Sequence, residues 1–534
     1  MLHIYSLERQ IQDLMQTAHV PGLALAIVKN QEILYARGFG VTSVEDSGMP
    51  VTPQTLFRIG SVTKPLTGTM IMRLVDEGKL ELDSPVRAYL PWFTLSEPGA
   101  AERVTLRMLL CHMSGLPHDH TPFGPREPGA LATRIRQEIP QLPLVAPPGI
   151  VYSYSDGGIQ VLAHVAEVVT GKFYAELMQE LVFNPLEMSR STFDPTIAMT
   201  YPLAQSHEID ENDILHVEHK SAENTAQASS GRAFSTVLDL ANFAIMHLHW
   251  GSFRGKQFLS ESSVREMHTI QADYYMAPGY SYGLTFEVGM YNGKLQVGHS
   301  GQISNFGTRL EMFPEVGIAV ILVFNHISVQ WIDNKILHLT FDQLLGPSPV
   351  PPTPQPIEPD RSLWSHYTGL YLGNKGLATI QIIDNQLMLN WYGEKLILEA
   401  IRKSHYVAKS ERKNTNIYVG FPPSLQGQIY ITIDKVPFKL IEPDQLFVVD
   451  PEILQVYTGN YKGKYGMITV YAEEGTLLIQ PAWADKPMSC IALDNRHFAW
   501  ELGPVEFLID ENGSVLALEI DKSFTFKRVE TMLE

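Results

Sequence analysis

Ser61 and Lys64 stand three residues apart, directly after Gly60. An apolar pattern follows at Leu66, Met70, Ile71, Leu74 and Val75 and ends near Gly78. That pattern predicts a helix with Ser61 as its N-cap or in its first turn and Lys64 on the same face. The positive end of the helix dipole favours a developing alkoxide and disfavours an ammonium. A lysine depressed by burial at that point can take the serine proton, so the pair can do nucleophilic chemistry. Two other segments carry groups fit to assist. Tyr154-Ser155-Asp156 puts a phenol and a carboxylate two residues apart, before a Gly pair that opens a helical pattern from Ile159 to Thr170. His299-Ser300-Gly301-Gln302 puts an imidazole and a hydroxyl ahead of a strand-like run, beside a backbone that a substrate can approach closely.

Other signals carry less. Gly298 to Gln302 nearly spells the G-x-S-x-G elbow, but Gln302 stands where the last glycine is needed, which argues against Ser300 as nucleophile. His112, His118, Asp119 and His120 crowd together, yet no second cluster completes a metal-ligand set. The acidic stretch from His207 to Asp213 reads as a solvated loop. No nucleotide-binding glycine loop is present, and neither metal nor cofactor is called for.

The elements around these groups are legible in outline. Leu23–Lys29 and Glu32–Arg37 alternate as strands, and Val316 to Phe324 is apolar throughout, as a buried strand is. Seven of the fifteen residues from Gly346 to Asp360 are proline, a composition that favours an extended spacer. Beyond it the chain repeats. Tyr367-Thr368-Gly369-Leu370-Tyr371 returns ninety positions later as Tyr457-Thr458-Gly459-Asn460-Tyr461, and Gly373, Gly376 and Leu387 return as Gly463, Gly466 and Leu477. Strand-like alternation at 378–383, 386–391, 467–471 and 476–480 predicts two all-β units, which close most easily as small barrels. The expected domains are 1–345, a linker at 346–360, and β units at 361–448 and 449–534.

The chain has 534 residues and a formal charge of −18, with 58 acidic against 40 basic side chains. That balance disfavours a nucleic-acid backbone or an anionic membrane surface as partner. Cys111 and Cys490 make no disulfide framework, and a reducing compartment suits them. The N-terminus lacks a basic flank followed by an apolar core, and the longest apolar run is far short of the ~20 residues that span a bilayer. A cytoplasmic protein with a small-molecule or short-peptide substrate is expected, and a homo-oligomer is compatible with the sequence.

Ser61-Val62-Thr63-Lys64, Tyr154-Ser155-Asp156 and His299-Ser300-Gly301, in that order, resemble the serine β-lactamase and penicillin-binding-protein superfamily, whose motifs run S-x-x-K, Y-x-N, then K-T-G or H-x-G. Residues 78–86, 104–116 and 235–240 are similar to the stretches between those motifs, so the resemblance covers roughly 5–345. It is nearest to the branch with class C β-lactamases, DD-carboxypeptidases, D-aminopeptidases and related esterases. It implies an α/β fold, an antiparallel sheet flanked by helices with an all-helical insert between the first two motifs. It also implies Ser61 as acyl-accepting nucleophile and Lys64 and Tyr154 as proton-transfer groups. The N–H groups of Ser61 and Gln302 would form the oxyanion hole, with Asp156, His299, Ser300 and Gly301 around the substrate. With the two β units, the architecture resembles three-domain D-aminopeptidases. Asp156 departs from the family's asparagine: it would either bind a substrate ammonium or pair with Lys64 and keep it charged. His299 replaces the permanent cation of K-T-G, which disfavours capture of a substrate carboxylate. The implied function is a serine hydrolase working through an acyl-enzyme on small peptides, amides or esters, with D-residue aminopeptidase favoured. An esterase, a β-lactamase-like hydrolase, an acyltransferase or peptide cyclase, and a non-enzymatic sensor are the alternatives.

Overall fold

The computed structural model describes residues 3–529 apart from 46–47, 211, 213, 277–278, 327–330, 348–353, 425–426, 485 and 522–523. The chain forms two compact units, Met1–Asp273 with Gly279–Thr353, and Tyr274–Pro278 with Pro354–Glu534.

The first unit is built on a seven-stranded antiparallel sheet. Its strands are β1 (Gly22–Lys29), β2 (Glu32–Gly40), β3 (Ser281–Tyr282), β4 (Glu287–Tyr291), β5 (Lys294–Ile303), β6 (Phe306–Phe313) and β7 (Ile318–Phe324). They lie in the order β2-β1-β7-β6-β5-β4-β3. Every residue of β7 is buried, as its unbroken apolar run requires, because helices cover both faces of the sheet. Helix α1 (Ile4–Thr17) buries Leu7, Ile11 and Met15, one side chain per turn, in a core with Leu23, Leu25, Ile27, Val320 and Leu322. The same core takes Ile336 and Phe341 from the helix Trp331–Leu345.

Two more helices bear on the site: α2 (Thr63–Asp76) and α3 (Asp156–Thr170). Between them run short helices at Leu106–Leu110 and Ala130–Gln137, 3₁₀ turns and long loops, with no strand among the described residues. The acidic stretch expected to be a loop instead begins with a strand, His207–Ile209, paired with Leu215–Val217; Glu211 and Asp213 lie outside the described residues.

The second unit holds two β assemblies. The first is a nine-stranded antiparallel sheet whose end strands, Glu394–Ile397 and Glu399–Arg402, are consecutive in the chain yet unpaired with each other. The second is a closed eight-stranded barrel, sealed by pairing of Gly459–Gly463 with Phe524–Val529. The ninety-residue repeat has a structural meaning. Tyr371 and Tyr461 are buried and each donates its hydroxyl to the carbonyl four residues earlier, Tyr367 and Tyr457, at 2.7 Å in both copies. Tyr367 then stacks on Phe421 and Tyr457 on Phe507. Each assembly has its own apolar core. Tyr274–Pro278 also belongs to this unit: the Tyr275 ring stacks on His405 at 4.7 Å and fills the space left by Gly420. Nothing in the local sequence signalled that. Of the expected linker, 348–353 lies outside the described residues, and Ile357 donates its N–H to the Ala400 carbonyl.

Candidate active site

Strand residues Phe57–Arg58 pair with Phe234–Ser235 and deliver the chain into a 3₁₀ turn at Gly60–Val62, on which Ser61 sits just before α2. Gly60 has φ +52°, and a Cβ there would lie 2.5 Å from the Gln302 nitrogen. A Cβ on Gly301 would meet the Ile59 carbonyl at 2.1 Å and the Ser61 nitrogen at 3.1 Å. Only glycines allow this approach, which brings the backbone of Gly301 and Gln302 against that of Ser61. Donors arranged in this way can hold a developing oxyanion.

Lys64, in the first turn of α2, is completely buried. Its ammonium donates to Ser61 Oγ at 3.1 Å and to the Ser230 carbonyl at 2.7 Å. It also lies 2.6 Å from Asp156 Oδ1. That last contact is a buried, charge-assisted ion pair. Tyr154 places its ring 4.6 Å from the same ammonium, and its hydroxyl interacts with both Lys64 and Ser61. The structure thus brings together Ser61, Lys64, Tyr154 and Asp156, from segments ninety residues apart.

Asp156 is held by the start of α3. Ser155 caps that helix by accepting the Gly158 N–H at 3.1 Å. Asp119 accepts the Gly157 N–H at 3.1 Å and is itself paired with buried Arg134, which also donates to Gln160. Burial and the neighbouring Asp156 charge, opposed by Arg134, push the Asp119 carboxyl up to about 6. Asp156 lies in the first turn, where the helix dipole favours a carboxylate. Its Oδ2 faces His118 at 3.7 Å and His120 at 3.5 Å, both partly exposed. The sequence reading grouped these histidines as a discarded metal cluster. Their link to Asp156 had no local signal, because it joins segments almost forty residues apart.

The charges follow from this packing. Burial would raise the Asp156 carboxyl, but Lys64, with His120 and His118, overrides it and holds the group far below the usual carboxylate range. Burial would lower Lys64, and Asp156 more than offsets it, so the ammonium is favoured. Burial raises the Tyr154 phenol, against the pull of Lys64. At neutral pH the site therefore holds an ammonium, a carboxylate and a neutral phenol around the Ser61 hydroxyl. Such a cluster can move a proton from serine through the phenol while Lys64 supports the charge that develops.

His299 and Ser300 lie within β5, in mid-strand rather than ahead of a strand as the sequence suggested. His299 Nδ1 is 2.5 Å from the Ser300 carbonyl. A carbonyl only accepts, so Nδ1 carries hydrogen, and Nε2 lies in hydrogen-bond contact with the Tyr282 hydroxyl at 3.0 Å. The ring lies 6.3 Å from that of Tyr154. Ser300 pairs across the sheet with Arg309 and so points to the face opposite His299. Gln302 is exposed at the side chain and enters the site through its backbone. Among the described residues no group of three His, Cys, Asp or Glu side chains is placed to hold a metal, and no helix is long and apolar enough to cross a membrane.

Comparison with known proteins identifies the family of the first unit. Residues 7–330 match the family described as Beta-lactamase. Penicillin-binding protein 4 of Amycolatopsis lactamdurans is 30% identical over 319 residues, 58% of this chain and 81% of its own length. The unguisins hydrolase of Aspergillus campestris is 27% identical over 348 residues, 62% of this chain and 63% of that protein, so the chain spans just under two thirds of it. Among solved structures, the octameric penicillin-binding protein homologue from Pyrococcus abyssi is similar with a TM-score of 0.58 and 25% identity, covering 82% of this chain and all of that one. The chain belongs to the β-lactamase family of serine hydrolases, within the superfamily that also holds the penicillin-binding proteins.

Proposed function

We propose that the chain hydrolyses small peptide, amide or ester substrates through an acyl-enzyme on Ser61. The observation that carries this reading is the Lys64 ammonium 3.1 Å from Ser61 Oγ with the Tyr154 hydroxyl alongside. Ser61 Oγ attacks the substrate carbonyl, and the N–H groups of Ser61 and Gln302 receive the oxyanion. The serine proton passes through Tyr154 to the leaving group, so that neither phenolate nor neutral lysine accumulates. Water then attacks the ester along the same path in reverse. His299, Gly301 and Asp156 border the substrate, and Ser300, on the opposite face of the strand, does not.

The finer reading is a D-amino-acid-selective aminopeptidase or amidase. It is supported by the motif order and the tandem β units, at the expected limits 361–448 and 449–534. It requires a substrate ammonium to compete with Lys64 for Asp156. Two free buried cysteines support a cytoplasmic setting, and the octameric relative supports a search for a homo-oligomer by light scattering.

The test is active-site labelling with a fluorophosphonate, followed by a panel of chromogenic esters, D- and L-amino-acid anilides and a cephalosporin. An adduct on Ser61, with Ser61→Ala slowing turnover by ~10³-fold or more, is the expected result. An adduct on Ser300 or Ser114 would overturn it.

A further inference from the structure

His112 follows Cys111, the C-cap of the short helix Leu106–Leu110, in a stretch to which no chemistry has been assigned above. It is completely buried and adopts φ +59°, in the left-handed region. Non-glycine residues rarely take that conformation, and histidine, asparagine and aspartate do so more readily than most. Here it turns both the carbonyl and the imidazole of one residue toward one segment. The His112 carbonyl accepts the Ser153 N–H at 2.8 Å. His112 Nδ1 accepts the Ser155 N–H at 3.1 Å. The two bonds fall on either side of Tyr154.

The ring is in contact with the same residue. Its centre lies 4.4 Å from the Tyr154 ring, with Tyr282 at 5.0 Å and Tyr152 at 5.7 Å closing the cage. Because Nδ1 accepts, the proton of the neutral ring is on Nε2, which has no hydrogen-bond partner. An imidazole buried with an unsatisfied N–H is unfavourable by itself. Packing alone would be served better by phenylalanine or leucine, neither of which has an acceptor for Ser155. Burial, with Lys64 and His299 nearby, holds the ring neutral well into acid. It therefore remains an acceptor over the whole working pH range.

We propose that His112 is a positioning residue for acyl transfer: gripping the backbone on both sides of Tyr154, it sets the phenol between Ser61 and Lys64. The proposal rests on the Ser61 acyl-enzyme reading. His112 touches neither substrate nor the reacting atoms, and acts through Tyr154 alone. Its loss should then matter only while Tyr154 can still transfer a proton.

The test is a double-mutant cycle on the full chain, read as the rate of Ser61 labelling by a fluorophosphonate per mole of folded enzyme. His112→Ala is expected to slow labelling by ~10- to 100-fold in the wild-type background and by less than about twofold in Tyr154→Phe. His112→Asn tolerates the left-handed backbone and places Oδ1 near the position of Nδ1, so it should restore most of the rate. His112→Gln, with its acceptor displaced by one methylene, should not, and it carries the same cycle should the alanine variant fail to fold. A purely structural role would lower the melting temperature and leave the rate per folded molecule unchanged. That outcome, or equal losses with and without the Tyr154 hydroxyl, would overturn the proposal. If the wild type shows no Ser61 adduct, the acyl-enzyme reading itself fails and this proposal falls with it.

Discussion

Lys64 Nζ and Asp156 Oδ1 lie 2.6 Å apart, with both side chains almost wholly out of water. The same ammonium also donates to Ser61 Oγ and the Ser230 carbonyl. The asparagine usual in the family at the position of Asp156 would offer it no charge. The pair sets the resting protonation of the site, and it decides between the two roles the sequence left open for Asp156 in favour of pairing in the substrate-free state.

Asp156→Asn removes the charge that offsets the burial of Lys64. The lysine pKa should fall, and each unit of fall gives ~10-fold more neutral amine at pH 7. Acylation should slow for all substrates alike, because part of the ammonium that supports the developing charge is lost, with the alkaline limb of kcat/KM moved to lower pH. The comparison is between a D-alanyl anilide and its N-acetylated form. A loss confined to the free amine would instead assign Asp156 to substrate binding and support the aminopeptidase reading.

The same pair has a pH signature in stability. Asp156 is depressed in the folded state, so its contribution is present above the unfolded carboxylate pKa and is lost as pH falls. Lys64 is raised, so its contribution is present below the unfolded lysine pKa and is lost as pH rises through its folded value. Wild type should exceed Asp156→Asn by about 3 kcal/mol in urea melts, near the low end for a broken buried pair because Lys64 can shed its proton. That gap should narrow as pH rises toward the unfolded lysine pKa, because the variant folds with Lys64 already partly neutral, and should shrink again as pH falls below about 4.

Lys64 and Tyr154 meet at one hydroxyl, so their losses should not add. Acylation rates of Lys64→Met, Tyr154→Phe and the double variant check this. The double should be little slower than the worse single. Simple addition of the logarithmic losses would mean that the two groups work independently.

Gly301→Ala tests the contact between strand and turn. The new methyl would stand 2.1 Å from the Ile59 carbonyl, so β5 must shift from Ser61. Overpacking of this kind costs ~1–3 kcal/mol. A displaced oxyanion donor should also lower kcat by ~10- to 100-fold with little change in KM. Gly129→Ala, where the backbone has no positive φ and nothing lies within 4 Å of the added methyl, serves as control.

A chain ending at Leu345 is expected to stay folded, because the seven-stranded sheet and helix Trp331–Leu345 share a core that ends there. Circular dichroism melts and Ser61 labelling of that fragment provide the check. Persistent insolubility would mean that the first unit needs the β assemblies for stability.

What the sequence determined by itself was local. The serine–lysine spacing put both groups at one helix start because the α-helical period brings residues three apart to one face. The all-apolar run became β7, and Tyr367/Tyr371 and Tyr457/Tyr461 repeat at ninety because the same corner bond is built twice. The motif order also announced the family. Tertiary structure alone decided what crosses long stretches of chain. It gave Asp156 to Lys64 and to two histidines, set His299 in mid-strand with Tyr282 on its ring, and placed Tyr274–Pro278 in the second unit. It also turned His112 from a residue near an unfinished metal cluster into a clamp around Tyr154. No local periodicity encodes such contacts. A side chain's spacing fixes its face on an element, while its partner depends on how separate elements pack, and here that packing turns on two glycines without a Cβ and one residue in the left-handed region.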